Sequence, residues 1–238
     1  VGIYEKLMAE MEPGLVAEAV VIGPFLTAVK AGGRCGLATT MPVKGGHAAP
    51  QIRDPGTLAG RPLIELARMV DSKLPLEASL AMAAINAGIR PPPDLPEKNG
   101  AALLRDKASD LNLVVVGHFN FIHDITPLTH STVVLELDPR EGDLPASATE
   151  RIIPEADVVA ITGSAFSNRT IEPMLRMATG KYVLVLGPTT PLSPTLLSHG
   201  VTAAAGTIVT DVELTLRQIT EGAMFRQLTG VRRVVMSR

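Results

Sequence analysis

The sequence predicts an α/β protein: a small α+β unit over residues 1–95, then a unit with a mainly parallel sheet over residues 96–238. Three observations lead there. Residues 112–117, 132–137, 157–162 and 181–187 are runs rich in β-branched and apolar residues that do not alternate, the pattern of strands covered on both faces. Helix-like stretches fall between them, the order of a parallel sheet wrapped by helices. Residues 90–100 (RPPPDLPEKNG) suit neither structure and read as a semi-rigid linker, so the boundary falls there.

Each element follows in order. Residues 3–11 have helical spacing. Residues 16–22, 25–30 and 34–39 are short strand-like runs parted by Gly-Pro and Gly-Gly, an antiparallel meander. Two helices come next, residues 61–70 with Pro62 near the first turn and residues 76–87 after Pro75, with Gly88 placed to end it. Beyond the linker, residues 146–153, 170–178 and 194–199 are the helical segments. A fifth strand lies near 201–205 or 207–209, and a last helix covers about 212–222. Strand, helix, strand in this repetition makes the second unit Rossmann-like.

Composition narrows the function classes. With 238 residues, 22 Lys+Arg against 24 Asp+Glu give a net charge of −2, so the basic surface of a general nucleic-acid binder is missing. No apolar run approaches the roughly 20 residues that span a bilayer. Nor does the N-terminus carry the basic-then-apolar pattern of a secretory signal, although a trimmed leader before Val1 is left open. Cys35 is the one cysteine, which rules out an intrachain disulfide and any Cys-rich zinc or iron–sulfur site within one chain. The expectation is a cytoplasmic protein whose partner is a small molecule, with no nucleic acid, no membrane, and a homo-oligomer still open.

In an open α/β sheet, ligands bind outside the carboxyl ends of the strands. Those ends carry Gly117-His118, Glu136, Thr162-Gly163 through Asn168 and Thr170, and Gly187-Pro188-Thr189-Thr190. Plain structural readings stand beside the functional ones: Gly and Pro turn the chain, and Thr170 caps a helix. The first strand is followed by Gly117 alone, not by a G-x-G-x-x-G run, so a dinucleotide site is not expected. Glu136, nineteen residues after Gly117, stands where an acid holds ribose hydroxyls, which keeps a nucleotide or S-adenosylmethionine-type ligand open.

The histidines are His47, His118, His123, His130 and His199. None makes a helical i, i+4 pair, and Asp124 is the nearest carboxylate to the middle three. His118, at a strand end, is the candidate acid, base or metal ligand. On the helix over 76–87, Ser79, Met82 and Asn86 share a face, whereas Glu77 points roughly opposite. Cys35 reads as a small buried hydrophobe.

The runs EASLAMAAIN, VVVGHF, LELDP, EADVVAITGSAFSNRT and LGPTTPLSPTLLSHGV resemble the prokaryotic heavy-metal chelation domain family over nearly the whole chain. The resemblance implies an N-terminal domain like that of enolase, a Rossmann-like C-terminal domain, and an active site in the cleft between them. Carried over by position, the site takes Glu77 and Asn86 from the first domain. From the second it takes Gly117, His118, Glu136, Thr162, Gly163, Asn168, Thr170, Gly187, Pro188, Thr189 and Thr190. His118, Glu136 and Glu77 are the candidates for catalysis, although no reaction follows from their spacing. The implied ligand is a divalent metal or a small anionic, metal-chelating molecule, bound and in one version transformed. The alternatives are a non-catalytic sensor or carrier, and a nucleotide-type binder on the second domain.

Overall fold

The structure, a computed structural model, describes residues 2–42 and 50–237. The chain opens with α1 (Ile3–Ala9), whose Ile3, Tyr4 and Leu7 are buried. An antiparallel meander follows, β1 (Ala19–Ile22), β2 (Leu26–Ala31) and β3 (Arg34–Thr39), in the order β1-β2-β3. Helix α2 (Leu63–Ala67) runs into a 3-10 turn at Arg68–Asp71, and α3 (Pro75–Gly88) closes this part. From Glu77 to Gly88, every residue of α3 except Asn86 is buried, so it behaves as a core helix with no solvent stripe. Small residues let it lie directly on the meander. At Gly36 an added Cβ would sit 2.2 Å from the Ala83 carbonyl oxygen, so only glycine permits that approach.

The second part carries α4 (Gly100–Ala108), β4 (Asn112–Val116), α5 (Ile122–Ile125), β5 (Ser131–Glu136) and β6 (Leu144–Pro145). Next come α6 (Thr149–Ile152), flanked by 3-10 turns, then β7 (Val158–Thr162), α7 (Ser164–Ser167), α8 (Ile171–Met177) and β8 (Tyr182–Leu186). The chain finishes with α9 (Pro194–Ser198), β9 (Ala203–Val209), α10 (Val212–Thr220) and β10 (Val231–Ser237). These strands form one sheet in the order β10-β9-β8-β7-β4-β5-β6, parallel throughout except for the antiparallel β9–β10 pair. Chain order therefore reverses between β4 and β7. In such sheets that reversal opens a crevice at the carboxyl edge.

Several expectations change in detail. The two alternatives near 201–205 and 207–209 merge into one strand, β9, over Ala203–Val209. The segment 146–153 is a short helix between two 3-10 turns, because Pro154 interrupts it. Gly100, read as the linker's end, is the first residue of α4, with the Asn99 side chain accepting from the Ala101 amide as its cap. The linker itself is tethered: the Pro96 carbonyl accepts from the Val235 amide of β10, which the sequence reading had missed.

One continuous apolar core joins the two parts. It contains Tyr4, Leu66 and Ile85 together with Val116, Ile161, Phe166 and Leu196. The Tyr4 hydroxyl donates to the Phe166 carbonyl at 2.8 Å, and the Glu10 carboxylate accepts from the hydroxyls of Ser193 and Thr195 at the start of α9. Among the described residues no helix is long and apolar enough to cross a membrane.

Candidate functional site

Two of the cavities at the carboxyl edge of the large sheet meet at Thr162, which lines both. The first is a cleft of about 660 Å³. Its walls come from the strand ends (His118, Thr162, Gly187, Pro188), from the start of α4, and from Thr39 of the meander. Helix α4 runs back along β4, so its amino end, with the positive end of its dipole, opens here; the Ala101 amide is already taken by the Asn99 cap. Lys98, Arg226 and Arg233 also line the cleft, and among the described residues no Asp or Glu does. Among the described residues neither Lys98 nor Arg226 meets an acidic partner, while Arg233 lies 5.0 Å from the Phe225 ring centroid and donates to the Phe225 carbonyl.

The second cavity, of about 250 Å³, opens between the ends of β4 and β5 and the helices α6 and α8. Gly117, Glu136, Asn168 and Thr170 line it. Gly117 needs its glycine: its φ is +98°, and a Cβ would stand 2.8 Å from Thr162 Cγ2. Thr170 precedes α8 as expected, but its side chain does not cap the helix. Its hydroxyl and amide both donate to Asn168 Oδ1, which fixes that amide.

His118, which lines the cleft, reaches Glu136, which lines the second cavity. Its Nδ1 faces Glu136 Oε1 at 2.9 Å and its Nε2 faces Asp143 Oδ2 at 3.1 Å, while Glu136 Oε2 accepts from the Leu137 amide. Asp143 was not among the sequence candidates; it stands seven residues beyond Glu136 and just before β6, a signal too weak to single it out.

The remaining candidates lie elsewhere. Thr189 is wholly buried and Thr190 nearly so. Thr189 Oγ1 accepts from the Thr39 amide at 2.8 Å, and Asn86 Nδ2 donates to the carbonyls of Leu37 (2.8 Å) and Thr189 (3.1 Å). The 187–190 loop and Asn86 thus fasten the sheet edge to the meander. Gly163 is buried under this loop, where a Cβ would meet Thr190. Ser79 accepts from the Met41 amide. Glu77 lines neither cavity. Its buried carboxylate accepts from the Arg53 amide, Nε and Nη2 at 2.7–2.8 Å, and the Arg53 guanidinium holds it down at about 2.

A heavy metal held directly by the chain does not fit these residues. Burial pushes the Cys35 thiol up to about 12, so no thiolate is offered near neutral pH. The carboxylates at His118 sit on opposite ring nitrogens and do not converge on one point. Among the described residues no group of three or more His, Cys, Asp or Glu could hold a metal ion. His47 lies outside the described residues, and His123 is exposed beside Asp124.

The architecture defines a class: a mixed α/β protein whose seven-stranded, mostly parallel sheet is docked on a three-stranded antiparallel one. Residues 100–238 match the DUF364 family and residues 4–89 match the DUF4213 family, each described as "Putative heavy-metal chelation", and the chain belongs to DUF364. The chain is similar to a DUF364 protein of unknown function from Desulfitobacterium hafniense, with 26% identity and a TM-score of 0.85 over 99% of this chain and 97% of that one. It also resembles, in fold, one from Pyrococcus horikoshii, with 22% identity and a TM-score of 0.82 over 99% and 98%. No curated protein matches.

Proposed function

We propose that the chain binds a small anionic, metal-chelating molecule in the 660 Å³ cleft between the sheet edge and the meander. The observation that carries this reading is the charge of the lining: Lys98, Arg226 and Arg233, together with the amino end of α4, and among the described residues no carboxylate. Cationic walls of low polarity focus the field on an anion, and a helix start supplies unpaired amide donors. A metal wrapped in such a molecule needs no thiolate from the protein. The strand order supports treating residues 96–238 as a Rossmann-like unit, and the meander with its helices supports an enolase N-terminal-like unit over 1–95.

His118 favours binding without turnover. Its Nδ1 is hydrogen-bonded to Glu136 and its Nε2 lies 3.1 Å from Asp143, so both nitrogens are turned to the chain's own carboxylates. A sensor or carrier fits that geometry better than an acid–base catalyst.

Calorimetric titration with citrate, citrate plus zinc, and zinc alone tests the reading. Citrate should bind with or without the metal, zinc alone should not, and the ligand should be recovered unchanged. Reversing both exposed charges (Lys98→Glu, Arg226→Glu) should weaken citrate binding by roughly tenfold or more. Wild-type protein that ignores citrate in both forms, or a double variant that binds as well, sinks the idea.

A further inference from the structure

The 250 Å³ cavity has the opposite chemistry to the cleft. Val116, Leu135, Met174 and Met177 give it apolar walls. Glu136 and Glu150 put carboxylates on its rim, and among the described residues no Lys, Arg or His lines it. An anion therefore finds repulsion and no counter-charge, so the occupant is neutral or cationic with a largely apolar body.

The polar groups narrow the class further. Glu136 is the last residue of β5, beside the point where strand order reverses. Its carboxylate meets His118 Nδ1 and the Leu137 amide, and a carboxylate with about four acceptor positions has capacity for further hydroxyl donors. Asn168 Oδ1 is filled by Thr170, which orients the amide and leaves Nδ2 as a donor with no partner among the described residues. Vicinal hydroxyls on a sugar, attached to a flat apolar ring with a nitrogen acceptor, match that set. The volume is below the roughly 300–1,000 Å³ of sites for larger cofactors, and Gly117 alone cannot form a pyrophosphate loop.

We infer that this cavity binds a nucleoside bearing no phosphate, with its ring between Leu135 and Met174, its ribose hydroxyls donating to Glu136, and Asn168 Nδ2 donating to the ring. The inference does not depend on the cleft's ligand. Thr162 is shared, so the two ligands would lie side by side across one residue.

The test is titration of the full chain with adenosine, S-adenosylmethionine and adenosine monophosphate. Binding of adenosine marks a neutral ligand, and binding of S-adenosylmethionine alone marks a cationic one; either supports the site. The monophosphate should bind roughly tenfold more weakly than adenosine. Ser147 is exposed and lines the mouth, so Ser147→Trp blocks entry without touching the core. This variant and Glu136→Gln should each lower nucleoside affinity by roughly tenfold or more, and Ser147→Trp should leave citrate binding as it was. No saturable binding of either nucleoside, a monophosphate as tight as adenosine, or full affinity in Ser147→Trp would overturn the assignment. Failure of citrate alone leaves it standing.

Discussion

The two cavities at the sheet edge share Thr162 and differ in almost everything else. One is walled by Lys98, Arg226 and Arg233, the other by methionines, Leu135 and two glutamates. The difference comes from which connections turn over each face of the sheet. The helix before β4 and the C-terminal segment bring an amino end, Lys98, Arg226 and Arg233 to one side, while the end of β5, α6 and α8 bring Glu136, Glu150 and the methionines to the other. One strand edge thus offers two chemistries of opposite sign. The chain's net charge of −2 conceals this, because the charges are sorted in space and not in number.

The largest effect that would collapse the comparison is expected at Gly117. Valine there would hold a β-branched residue at a φ of +98° and drive its Cβ into Thr162, the residue both cavities share. Gly117→Val should cost at least about 2 kcal/mol in urea unfolding and weaken both ligands together. Loss of one ligand alone would mean that the two cavities are not mechanically joined through Thr162.

A second variant sharpens the contrast by leaving both cavities untouched. The buried Glu77 carboxylate is held at about 2 by Arg53, below its ordinary 4.5. A carboxyl depressed on folding stabilises the protein above its unfolded value, and that stability is lost as pH falls from about 4.5 towards 2. Glu77→Gln should flatten this acid dependence and lower stability near neutral pH by about 2 kcal/mol, since charged hydrogen bonds are lost. Affinity for citrate and adenosine at pH 7 should not move. An acid unfolding profile identical to the wild type would show that the Arg53–Glu77 contact contributes nothing.

The sheet was legible because its central strands are buried on both faces and so read as unbroken runs: β4 and β8 lie within a residue or two of the runs at 112–117 and 181–187. Helix α4 was hidden, since its cap Asn99 and first residue Gly100 belong to a stretch whose prolines read as linker. Strand β10 was hidden too, because VRRVVMS mixes charge into an edge strand. Those two omissions explain why the basic cleft could not be read from sequence: Lys98 precedes α4, Arg226 follows α10, and Arg233 lies on β10. Glu136 and His118 were visible as strand-end residues, but their pairing depends on side-chain direction, which spacing does not carry. Thr189 and Asn86 were visible as polar residues at the right edge. Their role in fastening the loop to the meander requires the partner carbonyls, which only the folded chain supplies.

The smallest expected effect separates the cavities most cleanly. Raising ionic strength from about 0.05 M to 0.5 M shortens the Debye length from roughly 14 Å to 4 Å, which screens exposed charges such as Lys98 and Arg226. Citrate affinity should fall several-fold over that range, and less steeply once both charges are reversed. Adenosine carries no charge and meets no Lys or Arg among the described wall residues, so its affinity should stay flat. If both ligands lost affinity in parallel, the sorting of charge between the two sides of Thr162 would not govern what either cavity accepts. If citrate were also flat, its contacts would have to be hydrogen bonds from the amino end of α4 and the strand-end loops, and the basic rim would serve only encounter.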